Sequence, residues 1–167
     1  MARRAKRNYV NNRDFLDALI QYKKDCSEAE EAGDELPRVP DYIGTCIYQI
    51  ATRLATKPNF SGYTYKEDMI SDGIENCLLY IRNFNPEKSQ NPFAYFTQII
   101  WYAFLRRIHK EKRQMYIRFK SSQSMLATGG TYTGEEVDLY LNTSADYMNS
   151  FVQDYEDKLA RDKEKKK

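Results

Sequence analysis

Two stretches near the middle of this chain carry residues suited to recognition chemistry. The first, Asn91-Pro-Phe-Ala-Tyr-Phe-Thr-Gln-Ile-Ile-Trp-Tyr-Ala-Phe-Leu-Arg-Arg-Ile-His-Lys110, is aromatic and basic. Turned at about 100° per residue, it places Phe93, Ile100, Phe104 and Ile108 on one side of a helix. Tyr95, Gln98, Tyr102, Arg106, His109 and Arg113 fall on the other. An apolar core has no need of the second stripe. Flat rings stack on unpaired bases, worth roughly 1–3 kcal/mol each, while cations such as Arg106, Lys110 and Arg113 hold the backbone beside them. That is the chemistry of an unstacked nucleic-acid strand. A solvated basic face with tyrosines covering the edge of the core has the same periodicity, and both readings stay open at this level. Trp101 lies between the stripes and suits a buried anchor as well as a stacking platform. His109, the only histidine, sits among cations and reads as a phosphate contact rather than a catalyst.

The second stretch is Asp68-Met-Ile-Ser-Asp-Gly-Ile-Glu75. On a helix, Asp68, Ser71, Asp72, Glu75, Leu79 and Arg82 share one face, opposite a stripe of Ile and Cys. Carboxylates at helical spacing are by default a solvated surface. A leucine among them points instead to a protein contact, and the charge favours a basic partner surface. Asp68, Asp72 and Glu75 are close enough to share a cation, yet no histidine, Gly-rich loop or nucleophile accompanies them. The reading is therefore of a binding protein, not an enzyme, with no metal and no cofactor.

These faces need elements to position them. At 167 residues and 41% apolar composition the chain has enough for one core. The net charge of +2 hides segregation: Arg3, Arg4, Lys6 and Arg7 open the chain, and Arg106 to Lys120 holds seven cations against Glu111 alone. Three scattered cysteines suggest neither a disulfide framework nor a zinc site, and a reducing, intracellular setting is expected. Neither a signal peptide nor a membrane span is legible, so a soluble protein in the cytoplasm is expected.

Residues 1–11 read as a flexible basic arm. Asn12 is placed to cap a first helix with Phe15, Leu16, Leu19 and Ile20 inward, running to about Cys26. An acidic connector follows to Arg38. A second helix starts at Asp41, with Ile43, Ile47, Ile50, Ala51 and Leu54 inward, and stops before Pro58. Residues 59–63 read as a turn. Thr64 and Glu67 form a potential capping box for a third helix that turns Ile70, Ile74, Cys77, Leu78 and Ile81 inward and ends near Asn83. Asn91-Pro92 is a strong start for a fourth, reaching about Met115. The expected organisation is a helical domain over 12–118, a Ser/Thr/Gly-rich loop over 119–143, and a C-terminal amphipathic helix with a Lys-rich tail over 144–167. In that last helix Tyr147, Phe151, Tyr155 and Leu159 repeat every four residues. The fold class expected is all-α, a single compact helical domain.

Asp68-Met-Ile-x-Asp-Gly, then Phe84-x-Pro86, then Tyr95-x-Thr97, in this order and spacing, resemble the second conserved region of bacterial RNA polymerase sigma factors. Asn8-Tyr-Val-Asn-Asn12, Asn59-Phe-Ser-Gly-Tyr-Thr64, Asn91-Pro-x-Ala-Tyr95 and Arg107-Ile108 are similar to the small late-transcription sigma factors of T-even-type bacteriophages, across most of residues 8–115. The resemblance implies an all-helical specificity factor that acts as a monomer within the polymerase holoenzyme in the host cytoplasm. It implies that Asp68, Ser71, Asp72, Glu75, Leu79 and Arg82 dock on the clamp helices of the largest polymerase subunit. Tyr95, Thr97, Gln98, Trp101, Tyr102, Arg106, His109, Lys110 and Arg113 would recognise and melt a short A·T-rich promoter element, capturing its non-template strand. A phage co-activator is a further implied partner. Gln98 and Ile99 stand where primary sigma factors carry a Trp pair, and Asp162-Lys-Glu-Lys-Lys-Lys167 replaces the hydrophobic, acidic tail with which the phage members bind the sliding clamp, so clamp coupling is not carried over. A general single-strand binder, which needs no acidic docking face, and a polymerase-binding regulator that does not read DNA are the competing expectations.

Overall fold

Adjacent asparagines open the first helix, and the structure divides their work. Asn11 is the N-cap of α1 (Asn12–Ala32), its side-chain oxygen accepting from the Arg13 N–H. Asn12 reaches across the molecule instead, as described below. The computed structural model describes residues 9–127 and 135–165. The remainder of the expected basic arm, part of the expected loop and the last two lysines lie outside the described residues.

α1 continues past Cys26 because Ser27 to Ala32 is rich in Glu and Ala, both good helix formers. It ends where Gly33 adopts φ 76°, a left-handed cap that returns its N–H to Ala29 and Glu30. α2 (Asp41–Ala55) buries Ile43, Cys46, Ile47, Ile50, Ala51, Leu54 and Ala55, the expected face, and packs on α1 and on α4 (Lys66–Tyr80). Between them the expected turn closes into one short helix, α3 (Pro58–Ser61), with Pro in its first turn and Phe60 buried.

α4 departs from expectation in two respects. It starts after Tyr65 with no side-chain cap, so the Thr64/Glu67 capping box does not form. Its buried residues are Met69, Gly73 and Cys77, which turns Leu78 out to solvent and leaves Ile70 and Ile74 on the half-buried flanks. The cause is Gly73: a Cβ there would lie 3.0 Å from Ile100 Cγ2 and 3.1 Å from a Phe104 ring carbon. With any side chain at position 73, Ile100 and Phe104 would have to give way by a few tenths of an ångström for the two helices to keep this approach. A 3-10 turn (Ile81–Asn83) leads to α5 (Pro92–Ala127).

The start of α5 is capped twice. Asn91 Oδ1 accepts from the Ala94 N–H at 3.0 Å, and Asn12 Oδ1, from α1, accepts from the Phe93 N–H at 3.1 Å. Two donors that would otherwise lack partners are thereby satisfied. Phe96, Ile100, Ala103 and Phe104 then point into the core. Phe96 meets Phe15 and Phe84, and Phe104 meets Phe60 edge-on at 5.1 Å.

The chain divides into two compact units between Arg107 and Ile108, within α5. α5 does not end near Met115 but runs on to Ala127, and α6 (Glu135–Glu164) begins earlier than expected. In the second unit Tyr116 stacks on Tyr155 at 4.6 Å, and Phe119 meets Phe151 and Tyr147. Glu156 accepts from Tyr116 and pairs with Lys120 at 2.8 Å. This zipper explains why residues 119–127 are helix despite their serines: tertiary packing overrides weak propensity. Among the described residues there is no strand, and no helix is long and apolar enough to cross a membrane.

All three cysteines are free and buried. Burial pushes the Cys77 thiol up to about 12, while the unfolded chain would ionise it near about 8.5. The folded state therefore binds the extra proton between those values, and stability should fall as pH rises through that window. We expect Ellman's reagent near neutral pH to leave all three thiols untouched until denaturant is added. Rapid labelling of native Cys77 would show that the α4–α5 contact is open.

Candidate nucleic-acid and protein interface

The outward face of α4 is set by what its inward face does. With Met69, Gly73 and Cys77 against the core, Asp68, Ser71, Glu75 and Leu79 stand exposed. Leu79 is 69% exposed, the most of any large apolar residue described. It borders an open groove of about 470 Å³ between α1 and the end of α4, which Tyr22, Cys26 and Glu30 also line.

The other two residues expected on that face have partners within the protein. Arg82 pairs with Glu30 of α1. Asp72 accepts two hydrogen bonds from Arg107, Oδ2 from Nε at 2.6 Å and Oδ1 from Nη2 at 2.7 Å. Their side chains are 28% and 19% exposed. A bidentate, charge-assisted pair in that setting is stronger than the exposed pairs that contribute about 0–1 kcal/mol. Asp72 thus joins α4 to α5, a role its helical spacing does not reveal.

On α5, within the first unit, the structure separates the expected stripe into residues that hold and residues that present. Tyr95 is half-buried between Phe84 and Phe96, and its hydroxyl donates to the Tyr80 carbonyl at 3.2 Å. Burial pushes its phenol up. Thr97 returns its hydroxyl to the Phe93 carbonyl at 2.6 Å. Trp101 meets Phe60 edge-on at 4.8 Å and stays partly exposed, so it is neither fully buried nor free. Gln98 and Arg106 are exposed, and Tyr102 is 52% exposed. Tyr102 is therefore the ring most available for stacking.

His109, Lys110 and Arg113 are exposed residues of the second unit. There His109 and Lys112 border a groove of about 440 Å³ with Phe151, Tyr155, Lys158 and Leu159 of α6.

Arg107 and Asn76 are the functional-site residues that pattern reading leaves out. Asn76 donates Nδ2–H to the Asp72 carbonyl at 2.7 Å, and its Oδ1 accepts from Arg106 Nη2 at 2.6 Å. The pairings Asn76–Arg106 and Asp72–Arg107 have no signal in the sequence, because residues 30 and 35 apart meet only once the helices pack. Among the described residues no cluster of His, Cys, Asp and Glu is arranged to hold a metal ion. Comparison with protein-family models and with curated proteins gave no match.

Proposed function

We propose that this chain is a sigma-type specificity factor of the phage late-transcription class, which binds host bacterial RNA polymerase and directs it to a short A·T-rich promoter element. One observation carries the reading. The close α4–α5 contact at Gly73 leaves an acidic, Leu79-bearing face exposed on α4 and an aromatic, cationic face exposed on α5, in the order the resemblance to sigma region 2 requires.

On this reading Asp68, Ser71, Glu75 and Leu79 dock on the basic clamp helices of the largest subunit. Tyr102 stacks on an unpaired non-template base, with Trp101 and Gln98 beside it. Tyr95 and Thr97 keep the start of α5 in place, and Arg106 meets the strand's backbone. Lys110 and Arg113 supply further cations beyond the first unit, and His109 a polar ring. The chain supplies binding energy and geometry, and no bond-making chemistry is assigned to it.

The test is run-off transcription from a supercoiled template bearing a short A·T-rich promoter, with host core polymerase and this protein as the only factors. Initiation at one site, lost with Tyr102→Ala while co-elution with polymerase persists, is the expected result. Co-elution without a transcript would favour a polymerase-binding regulator. Loss of both, with oligonucleotide binding intact, would favour a plain single-strand binder.

A further inference from the structure

Arg106 and Arg107 are neighbours in sequence, and the fold treats them differently. Arg107 faces a carboxylate, Asp72, in a bidentate pair that cancels its charge. Arg106 is held just as closely, at 2.6 Å, by the amide oxygen of Asn76. An amide oxygen orients a guanidinium without neutralising it. Asn76 cannot swing freely, because its Nδ2 is bonded to the Asp72 carbonyl one turn earlier. That bond also fixes which amide atom faces Arg106: with nitrogen donating to Asp72, oxygen is left for the guanidinium.

We propose that Asn76 is a positioning residue for nucleic acid, holding Arg106 with its charge intact and aimed for a backbone phosphate, while Asp72 takes Arg107 out of that role. Restraining a long side chain in advance removes part of the ordering cost that binding would otherwise carry. A carboxylate at position 76 would hold Arg106 more tightly still, but the phosphate would then have to compete with it. The inference rests on the reading of α5 as a nucleic-acid face, though not on the identity of the polymerase.

The test is the salt dependence of binding to short fluorescein-labelled oligo(dT), followed by anisotropy on the full chain. Each phosphate neutralised on a single strand adds about 0.7 to the slope of log affinity against log salt. Arg106→Gln is expected to lower the slope by about 0.7. Asn76→Asp, which supplies a counter-charge, should lower it by the same amount, and should lower it no further when Arg106→Gln is already present. Asn76→Ala, which adds no charge, should keep the slope while weakening affinity several-fold, and it keeps the test readable if the carboxylate perturbs the helix.

A slope unchanged by Asn76→Asp but lowered by Arg106→Gln would overturn the positioning role and leave the α5 reading standing. So would an Asn76→Asp effect that persists without Arg106, since it would be a general charge effect. A slope indifferent to Arg106→Gln would overturn both.

Discussion

Asp68→Lys combined with Glu75→Lys is expected to weaken binding to bacterial core polymerase by at least about 100-fold, roughly 2.8 kcal/mol at 1.4 kcal/mol per decade. Both carboxylates are exposed on α4, on the face that also carries Leu79. Reversing them before a basic surface replaces attraction by like-charge repulsion, which costs several kcal/mol across an interface. The fold should not notice, because exposed substitutions of this kind usually stay within about ±0.5 kcal/mol. Competition binding with unlabelled wild-type protein, together with a melting curve, separates the two effects. Unchanged affinity with unchanged melting would remove the docking face from the proposal.

Asp72 is the wrong residue for that experiment, although its spacing makes it look equivalent. Asp72→Arg would break the bidentate pair and set two guanidinium groups against each other between α4 and α5. Lost polymerase binding would then report a damaged fold as readily as a lost contact.

Phe104→Ala has the largest effect expected on stability, about 3–5 kcal/mol. Phe104 is fully buried, meets Phe60 edge-on and lies against Gly73. Its removal opens a cavity where α3, α4 and α5 converge, and Ile100, which shares the contact with Gly73, is itself fully buried. With a whole domain stable by only about 5–15 kcal/mol, such a loss should move a urea midpoint down by roughly 2 M at the slopes usual for small proteins. A shift below about 0.5 M would mean that the ring is not the keystone of this contact.

The same region shows what could be read without coordinates. The apolar side of α5 was legible in part: of the regularly spaced Phe93, Ile100, Phe104 and Ile108 the last three are buried and Phe93 is half-buried, while the buried Phe96 lies off that stripe. The exposed set Asp68, Ser71, Glu75 and Leu79 was legible because helical spacing puts them on one face with two carboxylates, though Asp72 on that face is paired with Arg107. The inward face of α4 was not. A hydrophobic pattern counts Ile70, Ile74 and Leu78, whereas the packing centres on Gly73, which has no side chain to count and acts by letting Ile100 and Phe104 in. Capping was half legible: Asn91 serves as expected, but nothing in the order Asn11-Asn12 says which asparagine caps its own helix. The extension of α5 past Met115 depends on aromatic contacts with α6, which no local window contains. Partners such as Asp72 with Arg107 and Asn76 with Arg106 depend on how two helices are rotated against each other. Position in the chain carries no trace of that.

The cap that Asn12 provides for Phe93 has a consequence for how the molecule is made. The two residues are separated by 81 positions, a gap that takes a ribosome roughly 4–16 s to bridge at about 5–20 residues per second. α1, α2 and α4 are all synthesised within that interval, and throughout it the asparagine that completes the start of α5 has nothing to accept from. Because a contact this remote in sequence is rewarded only after its loop has closed, the aromatic and cationic helix is the last part of the first unit to be finished.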